Sequence, residues 1–166
     1  MYIAVVGAQK TDREKVQRTI AENRKARHDY HILDSWEAGV ALLGTEVKSI
    51  REGRVNLRDS YARIDNGEVW MLNVHISPYS HRGSAEHAEL RQRKLLLHRD
   101  EIRKMVGQVA EKGLTLVPLE LYFKNGRVKV QLALAKGKQA HDKRETIRRR
   151  EVERETRAAV KSRVRS

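Results

Sequence analysis

Two Asn-Gly dipeptides, each between segments that alternate apolar and polar residues, constrain the fold of this chain most strongly. Asn66-Gly67 lies within "SYARIDNGEVWMLNVHISPY", and Asn125-Gly126 lies within "LELYFKNGRVKVQLALA". Both residues of such a dipeptide readily adopt positive φ, as a two-residue type I′ turn between antiparallel strands requires. Because side chains alternate across a strand, the second pair of segments carries its Leu, Phe and Val residues on single faces. The sequence therefore predicts two β-hairpins, the second with one dry face.

The segments outside the hairpins predict two more strands and two helices. "HDYHILDSWEAGVALLG" contains strand-forming residues around a turn-prone centre, and predicts two strands joined by a bend. "TEVKSIREGR" predicts a short helix, with Thr45 as its N-cap and Gly53 as its terminator. "LLLHRDEIRKMVGQVAEKG" has apolar residues at helical spacing and predicts a longer helix that covers the sheet.

Together these elements predict a mainly β protein of about six antiparallel strands. A small antiparallel sheet commonly removes its exposed edges by closing into a barrel. We therefore expect an OB-fold-like antiparallel six-stranded barrel with two to three flanking helices, and a flat α+β sandwich is the alternative. The predicted boundaries are a flexible N-terminal extension or frayed helix at residues 1–22, the barrel at 23–135 and a basic C-terminal tail at 136–166.

The net charge indicates the class of partner. The 166 residues include 35 Lys and Arg against 22 Asp and Glu, a net charge of +13. Such an excess is typical of proteins that bind nucleic acid or acidic membranes. No apolar run approaches the roughly 18 residues of a membrane-spanning helix, which disfavours the membrane. Aromatic residues make up only 5% of the chain, so structured RNA bound through its shape and phosphates is favoured over stacking on single strands. The opening "MYIAVVG" lacks the order of a secretory signal, and a cytoplasmic protein is expected.

No pattern of catalytic or metal-binding residues is apparent. None of the seven histidines forms the i, i+4 pair of a zinc-protease helix, and the chain has no cysteine. We therefore predict a protein without catalytic residues, metal or cofactor. A metal-dependent or hydrolytic enzyme that uses His81 or His87 is the alternative of a different class.

The C-terminal tail is the most basic part of the chain. Residues 136–166 contain 12 basic and 5 acidic residues. Glu-to-Arg pairs four residues apart encourage a helix, but the few apolar residues do not form a continuous stripe that could pack on the barrel. An isolated helix without packing is marginal. The tail is therefore predicted to be disordered when free and helical on RNA.

Several motifs in a fixed order resemble one family. "GTEVKS", "VHISPY" and "AKGK", followed by "HDKR", stand in the order found in the SmpB family, the SsrA-binding proteins of bacterial trans-translation. The similarity extends from about Asn23 to Arg150. It implies an OB-type barrel that binds the tRNA-like domain of tmRNA (SsrA RNA) and delivers it to stalled ribosomes. The tail would then occupy the decoding centre and the empty mRNA channel, where it would be helical.

The resemblance also implies partners and sites. The partners are tmRNA, the small-subunit rRNA of the stalled ribosome, and elongation factor Tu with alanyl-tmRNA. A general OB-fold RNA-binding or ribosome-associated protein is the alternative within the same class. With the basic clusters and the "GTEVKS" motif, the resemblance predicts these contacts to tmRNA: Asn23, Arg24, Lys25, Arg27, Glu37, Thr45, Glu46, Lys48, Lys94, Leu96 and His98. The predicted contacts to the ribosome are Lys136, Gly137, Lys138, His141, Asp142, Lys143, Arg144, Ile147 and Arg148.

Overall fold

The computed structural model describes residues 17–79, 87–111 and 113–165. The prediction for residues 1–16 and the candidate His81 lie outside this part of the chain. The strands are β1 (Gln17–Glu22), β2 (Tyr30–Val40), β3 (Val55–Asn56), β4 (Tyr61–Asp65), β5 (Glu68–Leu72), β6 (His75–Ile76), β7 (Arg93–Leu96), β8 (Leu114–Lys124) and β9 (Arg127–Gly137). The helices are α1 (Arg24–Asp29), α2 (Gly44–Arg51), α3 (Arg99–Val109) and α4 (Ala140–Arg165).

Six strands close into an antiparallel ring, which confirms the predicted barrel. The order around the ring is β8, β4, β5, β7, β2 and β9, and β9 pairs with β8 to complete it. Strand β1 adds to the outside edge of β8, while β3 and β6 form a separate two-stranded sheet. The interior is filled by aliphatic side chains from all six ring strands and by Met105 of α3. In the described part of the chain, no helix is long and apolar enough to cross a membrane.

Both predicted hairpins form with two-residue turns. Asn66 and Gly67 have φ values of 48° and 72°, and Asn125 and Gly126 have values of 52° and 75°. These positive angles match the twist of the flanking strands. The second turn sets a register in which Tyr122 lies opposite Lys129, and this pairing matters for the site described below.

The structure corrects three predictions of secondary structure. Gln17–Glu22 form a strand on β8 instead of a frayed helix, and Ile20 and Ala21 pack against the barrel core. Residues 30–40 form one long strand instead of two, because a bulge between Ile32 and Asp34 absorbs the bend. Arg93–Leu96 form a strand that the sequence did not predict, and it closes the ring between β5 and β2.

The helices begin close to their predicted starts. Helix α2 begins at Gly44, one residue before the predicted cap Thr45, and the Glu46 carboxylate accepts a hydrogen bond from the Leu43 N–H at 2.9 Å. Gly53 follows this helix with a φ of 75°, as its predicted role as terminator requires. Helix α4 begins at Ala140, two residues before the predicted start at Asp142.

Candidate RNA interface

Three of the predicted tmRNA contacts meet in one groove. This groove, of about 450 Å³, is lined by Glu37 and Gly39 of β2, Leu96, Leu97 and His98 at the end of β7, Glu101 of α3 and Lys129 of β9. We call it the β2–β7 groove. The strands approach closely here because Gly39 has no side chain: a Cβ at that position would lie 3.2 Å from the Cβ of Leu96.

The groove combines an apolar side chain with charges of both signs. Leu96 is 53% exposed. Glu37 supplies a carboxylate and Lys129 an ammonium group within the same groove. A carboxylate only accepts hydrogen bonds, whereas an ammonium group only donates them. The groove can therefore contact RNA donors, phosphates and an apolar base or sugar face at one place.

Glu37 is held by two donors from β8. The Tyr122 hydroxyl donates to Glu37 Oε2 at 2.5 Å, and Lys124 Nζ donates to the same oxygen at 3.2 Å. Burial opposes ionisation, but these hydrogen bonds and the charges of Lys124 and Lys129 outweigh it and lower the pKa of Glu37. Burial and the adjacent carboxylate raise the pKa of Tyr122, which therefore remains a donor. The contact thus keeps Glu37 ionised and oriented.

Asn23, a predicted tmRNA contact, is buried, and its side chain serves the fold. Asn23 is 3% exposed. Its amide nitrogen donates to the carbonyl oxygens of Leu57 at 3.0 Å and Pro118 at 2.9 Å, and its amide oxygen accepts from the Ala26 N–H at 3.1 Å. Both amide hydrogens are therefore used within the protein. Asn23 caps α1 and fixes that helix on the barrel.

The cap positions three predicted cations at the surface. Arg24, Lys25 and Arg27 follow Asn23 in α1 and are exposed. Lys25 pairs with Asp59 at 2.5 Å, and Arg24 lies 3.7 Å from Glu22. Such exposed pairs are weak. These cations remain able to turn towards a phosphate.

Glu46, another predicted tmRNA contact, is also buried. Its side chain is fully buried and forms ion pairs with Arg93, which is likewise fully buried, and with Arg91 at 2.5 Å. Burial by itself would raise the pKa of Glu46, but hydrogen bonds from Arg91, the Leu43 N–H and Arg93 lower it. Glu46 joins α2 to β7 inside the protein, and its carboxylate is committed to these ion pairs. The "GTEVKS" motif is therefore structural at this position.

The neighbouring predicted contacts have different surroundings. Thr45 Oγ1 lies 3.0 Å from Nδ1 of the buried His87, so the threonine ties α2 to the segment before β7. Lys48 Nζ lies 5.2 Å from the centre of the Tyr79 ring, within range of a cation–π interaction. Lys94 pairs with Glu68 at 2.9 Å on the outside of the barrel. Lys48 is exposed and Lys94 half-buried.

The base of the tail is anchored on α1 by Asp29. Lys138 donates its backbone N–H to the Asp29 carbonyl oxygen at 2.9 Å, and Lys143 Nζ lies 3.4 Å from the Asp29 carboxylate. The hydrogen bond from His28 lowers the pKa of Asp29, and the hydrogen bond and charge of Lys143 lower it further, although burial acts in the opposite direction. Lys136 and Gly137 end β9 just before this anchor. The side chains of His141 and Asp142 lie outside the described part of the structure.

Beyond its base, helix α4 projects cations on every side. Every residue from Ile147 to Val164 is exposed. Arg144 and Arg148 lie on its first turns and are exposed as well. The part of the tail predicted to contact the ribosome is therefore presented outside the barrel.

Sequence reasoning missed Tyr122, Lys124 and Lys129 as members of the site. Counting back from the Asn125-Gly126 turn pairs residue 122 with 129, so a strand-pairing argument could have found that relation. No local pattern could have placed them near Glu37, since that proximity requires the pairing of β2 with β9. For the enzyme alternative, residues 17–79, 87–111 and 113–165 contain no group of three or more His, Asp or Glu side chains that could hold a metal ion.

Comparisons with known proteins give the relationship of this chain. Residues 20–162 match the family described as "SmpB protein". The SsrA-binding protein of Thermosynechococcus vestitus is 60% identical over 147 residues, which are 88% of this chain and 97% of the relative. That of Carboxydothermus hydrogenoformans is 58% identical over 148 residues, 89% of this chain and 99% of the relative.

A solved structure agrees with these relatives. A chain of the structure described as "tmRNA-SmpB: a journey to the center of the bacterial ribosome" is 51% identical and superimposes with a TM-score of 0.64. The match covers 78% of this chain and 94% of that chain. The family match, the identities and the shared fold agree, and the chain belongs to the SmpB family.

Proposed function

We propose that this protein is an RNA-binding adaptor of trans-translation, which binds the tRNA-like domain of tmRNA and delivers it to stalled ribosomes. The observation that carries the proposal is the convergence of Glu37, Leu96 and His98 in the β2–β7 groove. Glu37 is distant in sequence from Leu96 and His98, and all three are among the eleven tmRNA contacts predicted from the resemblance and the basic clusters. The names of the relatives and of the solved structure support tmRNA and the ribosome as partners.

The barrel and the tail have separate roles in this proposal. The barrel binds tmRNA through the groove, with Arg24, Lys25, Arg27, Lys48 and Lys94 on phosphates. Phosphate contacts supply affinity and orientation, whereas the groove supplies selectivity. The protein has no catalytic step of its own, it acts in the cytoplasm with the ribosomes, and elongation factor Tu accompanies the aminoacylated RNA.

The tail enters the decoding centre and the mRNA channel. Residues Lys136 to Arg148 make the first contacts there, and the rest of α4 follows. A channel lined by rRNA has phosphates on several sides, and a helix with exposed cations around its circumference matches that environment. Outside the ribosome the tail is expected to lose its helix, since it has little to pack against.

The first test measures the affinity of the protein for tmRNA by fluorescence anisotropy. A control RNA of the size of an aminoacyl-tRNA is measured in the same way. Leu96→Ala should weaken binding about tenfold, the effect of a central interface residue. Leu90→Ala is the matched control, because Leu90 is 58% exposed and lies outside the lining of the groove. Equal affinity of the wild-type protein for tmRNA and the control RNA would contradict the proposal and favour a general OB-fold RNA-binding protein.

The second test separates the roles of barrel and tail. Deletion of residues 139–166 should leave the tmRNA affinity within about threefold of the wild type, because the groove lies on the barrel. The small loss comes from the deleted cations, whose contribution to binding depends on salt. Tagging of a nascent chain on an mRNA without a stop codon should be abolished in a reconstituted translation system. Full tagging by the shortened protein would refute the role of the tail.

A further inference from the structure

We infer that Tyr122, supported by Lys124, is a positioning residue that fixes the Glu37 carboxylate for contact with RNA. The inference rests on the proposed function, since it concerns how the β2–β7 groove binds tmRNA. None of the predicted RNA contacts includes Tyr122 or Lys124. Both act through Glu37 and need not touch RNA.

The geometry gives Tyr122 a fixed donor. The Tyr122 side chain is 4% exposed, and its residue pairs with Thr19 of β1 on one side and Lys129 of β9 on the other. A buried ring between two strands has few accessible rotamers. Its hydroxyl therefore donates to Glu37 Oε2 from a set position, at 2.5 Å.

The carboxylate retains acceptor capacity for a ligand. Tyr122 donates to Oε2, and Lys124 Nζ donates to Oε2 at 3.2 Å and to Oε1 at 3.4 Å, so Oε1 receives one long hydrogen bond. A carboxylate oxygen accepts about two hydrogen bonds. Glu37 Oε1 is therefore able to accept from an RNA amino or hydroxyl group while Oε2 is held.

Fixing this side chain before binding should increase affinity. Glu37 is about two-fifths exposed, and a glutamate at such a site otherwise samples many rotamers. Holding it in the binding orientation removes an entropic cost from association. Lys124 Nζ lies 3.2 Å from Glu37 Oε2 and stabilises the negative charge of the carboxylate. Lys129 lies within the groove and is able to contact a phosphate.

A double-mutant cycle on the full-length protein tests the inference. Tyr122→Phe removes the hydroxyl and keeps the ring, and should weaken tmRNA binding roughly threefold to tenfold, because the Glu37 side chain must then be ordered on association. In a Glu37→Ala background the same change should alter affinity less than twofold. This non-additivity is expected of a residue that acts through Glu37.

Thr19→Val is the matched control. Thr19 of β1 pairs with Tyr122, and its Oγ1 donates to Oε1 of Glu120 on β8 at 2.5 Å. This is a second hydroxyl–carboxylate hydrogen bond close to Tyr122. Its loss should leave affinity unchanged. Lys124→Met tests the supporting donor and should weaken binding less than Tyr122→Phe does.

The outcomes separate this inference from the function on which it rests. A wild-type protein that does not prefer tmRNA would refute the proposed function. If the wild type prefers tmRNA, the inference is overturned when Tyr122→Phe has no effect, or when it weakens binding equally with and without Glu37. The inference is supported if Tyr122→Phe weakens tmRNA binding only when Glu37 is present and leaves thermal unfolding unchanged.

Discussion

Replacing Glu46 by alanine should destabilise the barrel far more than its place in a surface helix suggests. The change removes the carboxylate that pairs with Arg93 and Arg91. Arg93 is fully buried and cannot regain water, although it keeps hydrogen bonds to the carbonyl oxygens of Val74 at 2.8 Å and Glu89 at 3.2 Å. Arg91 is about one-third exposed and can be hydrated again.

The buried guanidinium sets the magnitude. Removing one partner of a buried ion pair costs about 3–5 kcal/mol, because the other charge stays desolvated. The lost hydrogen bond to the Leu43 N–H is a smaller part of that cost. A domain of this size has a free energy of unfolding of roughly 5–15 kcal/mol. Glu46→Ala should therefore lose between about a fifth and the whole of its free energy of unfolding.

Urea unfolding followed by tryptophan fluorescence measures this effect, since Trp36 is buried in the barrel core. Glu68→Ala is the matched control, because Glu68 pairs with Lys94 at 2.9 Å while both side chains are about two-fifths exposed. Its loss should cost less than about 1 kcal/mol. A loss below 1 kcal/mol for Glu46→Ala, or weaker tmRNA binding by the fully folded variant, would refute the assignment of Glu46 to the fold.

Four further outcomes are expected. The pKa of Glu46 is lowered in the folded state, so its stabilisation is fully present above the unfolded-state pKa. That stabilisation should be lost as pH falls through the folded-state pKa. Acid unfolding of the wild type and of Glu46→Gln would measure the loss. Asn23→Ala should cost about 1–2 kcal/mol of stability from the lost cap, by urea unfolding, and a negligible loss would contradict the role of its amide. Asp29→Asn should speed amide hydrogen exchange at residues 138–146, and unchanged exchange would contradict the anchor. A peptide of residues 142–166 should show little helix by circular dichroism in buffer, and a strongly helical peptide would contradict folding on RNA.

The hairpins could be predicted because their determinants are local. Asn66-Gly67 and Asn125-Gly126 specify both a turn and the register of the strands beside it. The family resemblance similarly identified Glu37 and Leu96, which the structure brings into one groove. In each case a few neighbouring residues contain the information.

The strands at Gln17–Glu22 and Arg93–Leu96 could not be predicted in the same way. Each is stabilised by a partner strand that lies far away in sequence, and neither has a turn signal that would set its register. The predicted total of six strands agrees with the number in the ring, but the strands are not the same. The ring contains the unpredicted strand Arg93–Leu96, and two of the predicted strands form one continuous strand, β2.

The sequence by itself determined the two hairpins, the helix over residues 99–109, the excess of cations in the tail and the family, because local turn chemistry, periodicity and motif order are enough for these. Only the tertiary structure decided which polar residues are exposed and which are buried. Asn23 and Glu46 are predicted contacts from the family resemblance, but burial commits both side chains to internal hydrogen bonds. Tyr122 has no motif of its own, and the closed barrel brings its hydroxyl to Glu37. Exposure depends on which distant strands close the ring, and that is a property of the whole chain.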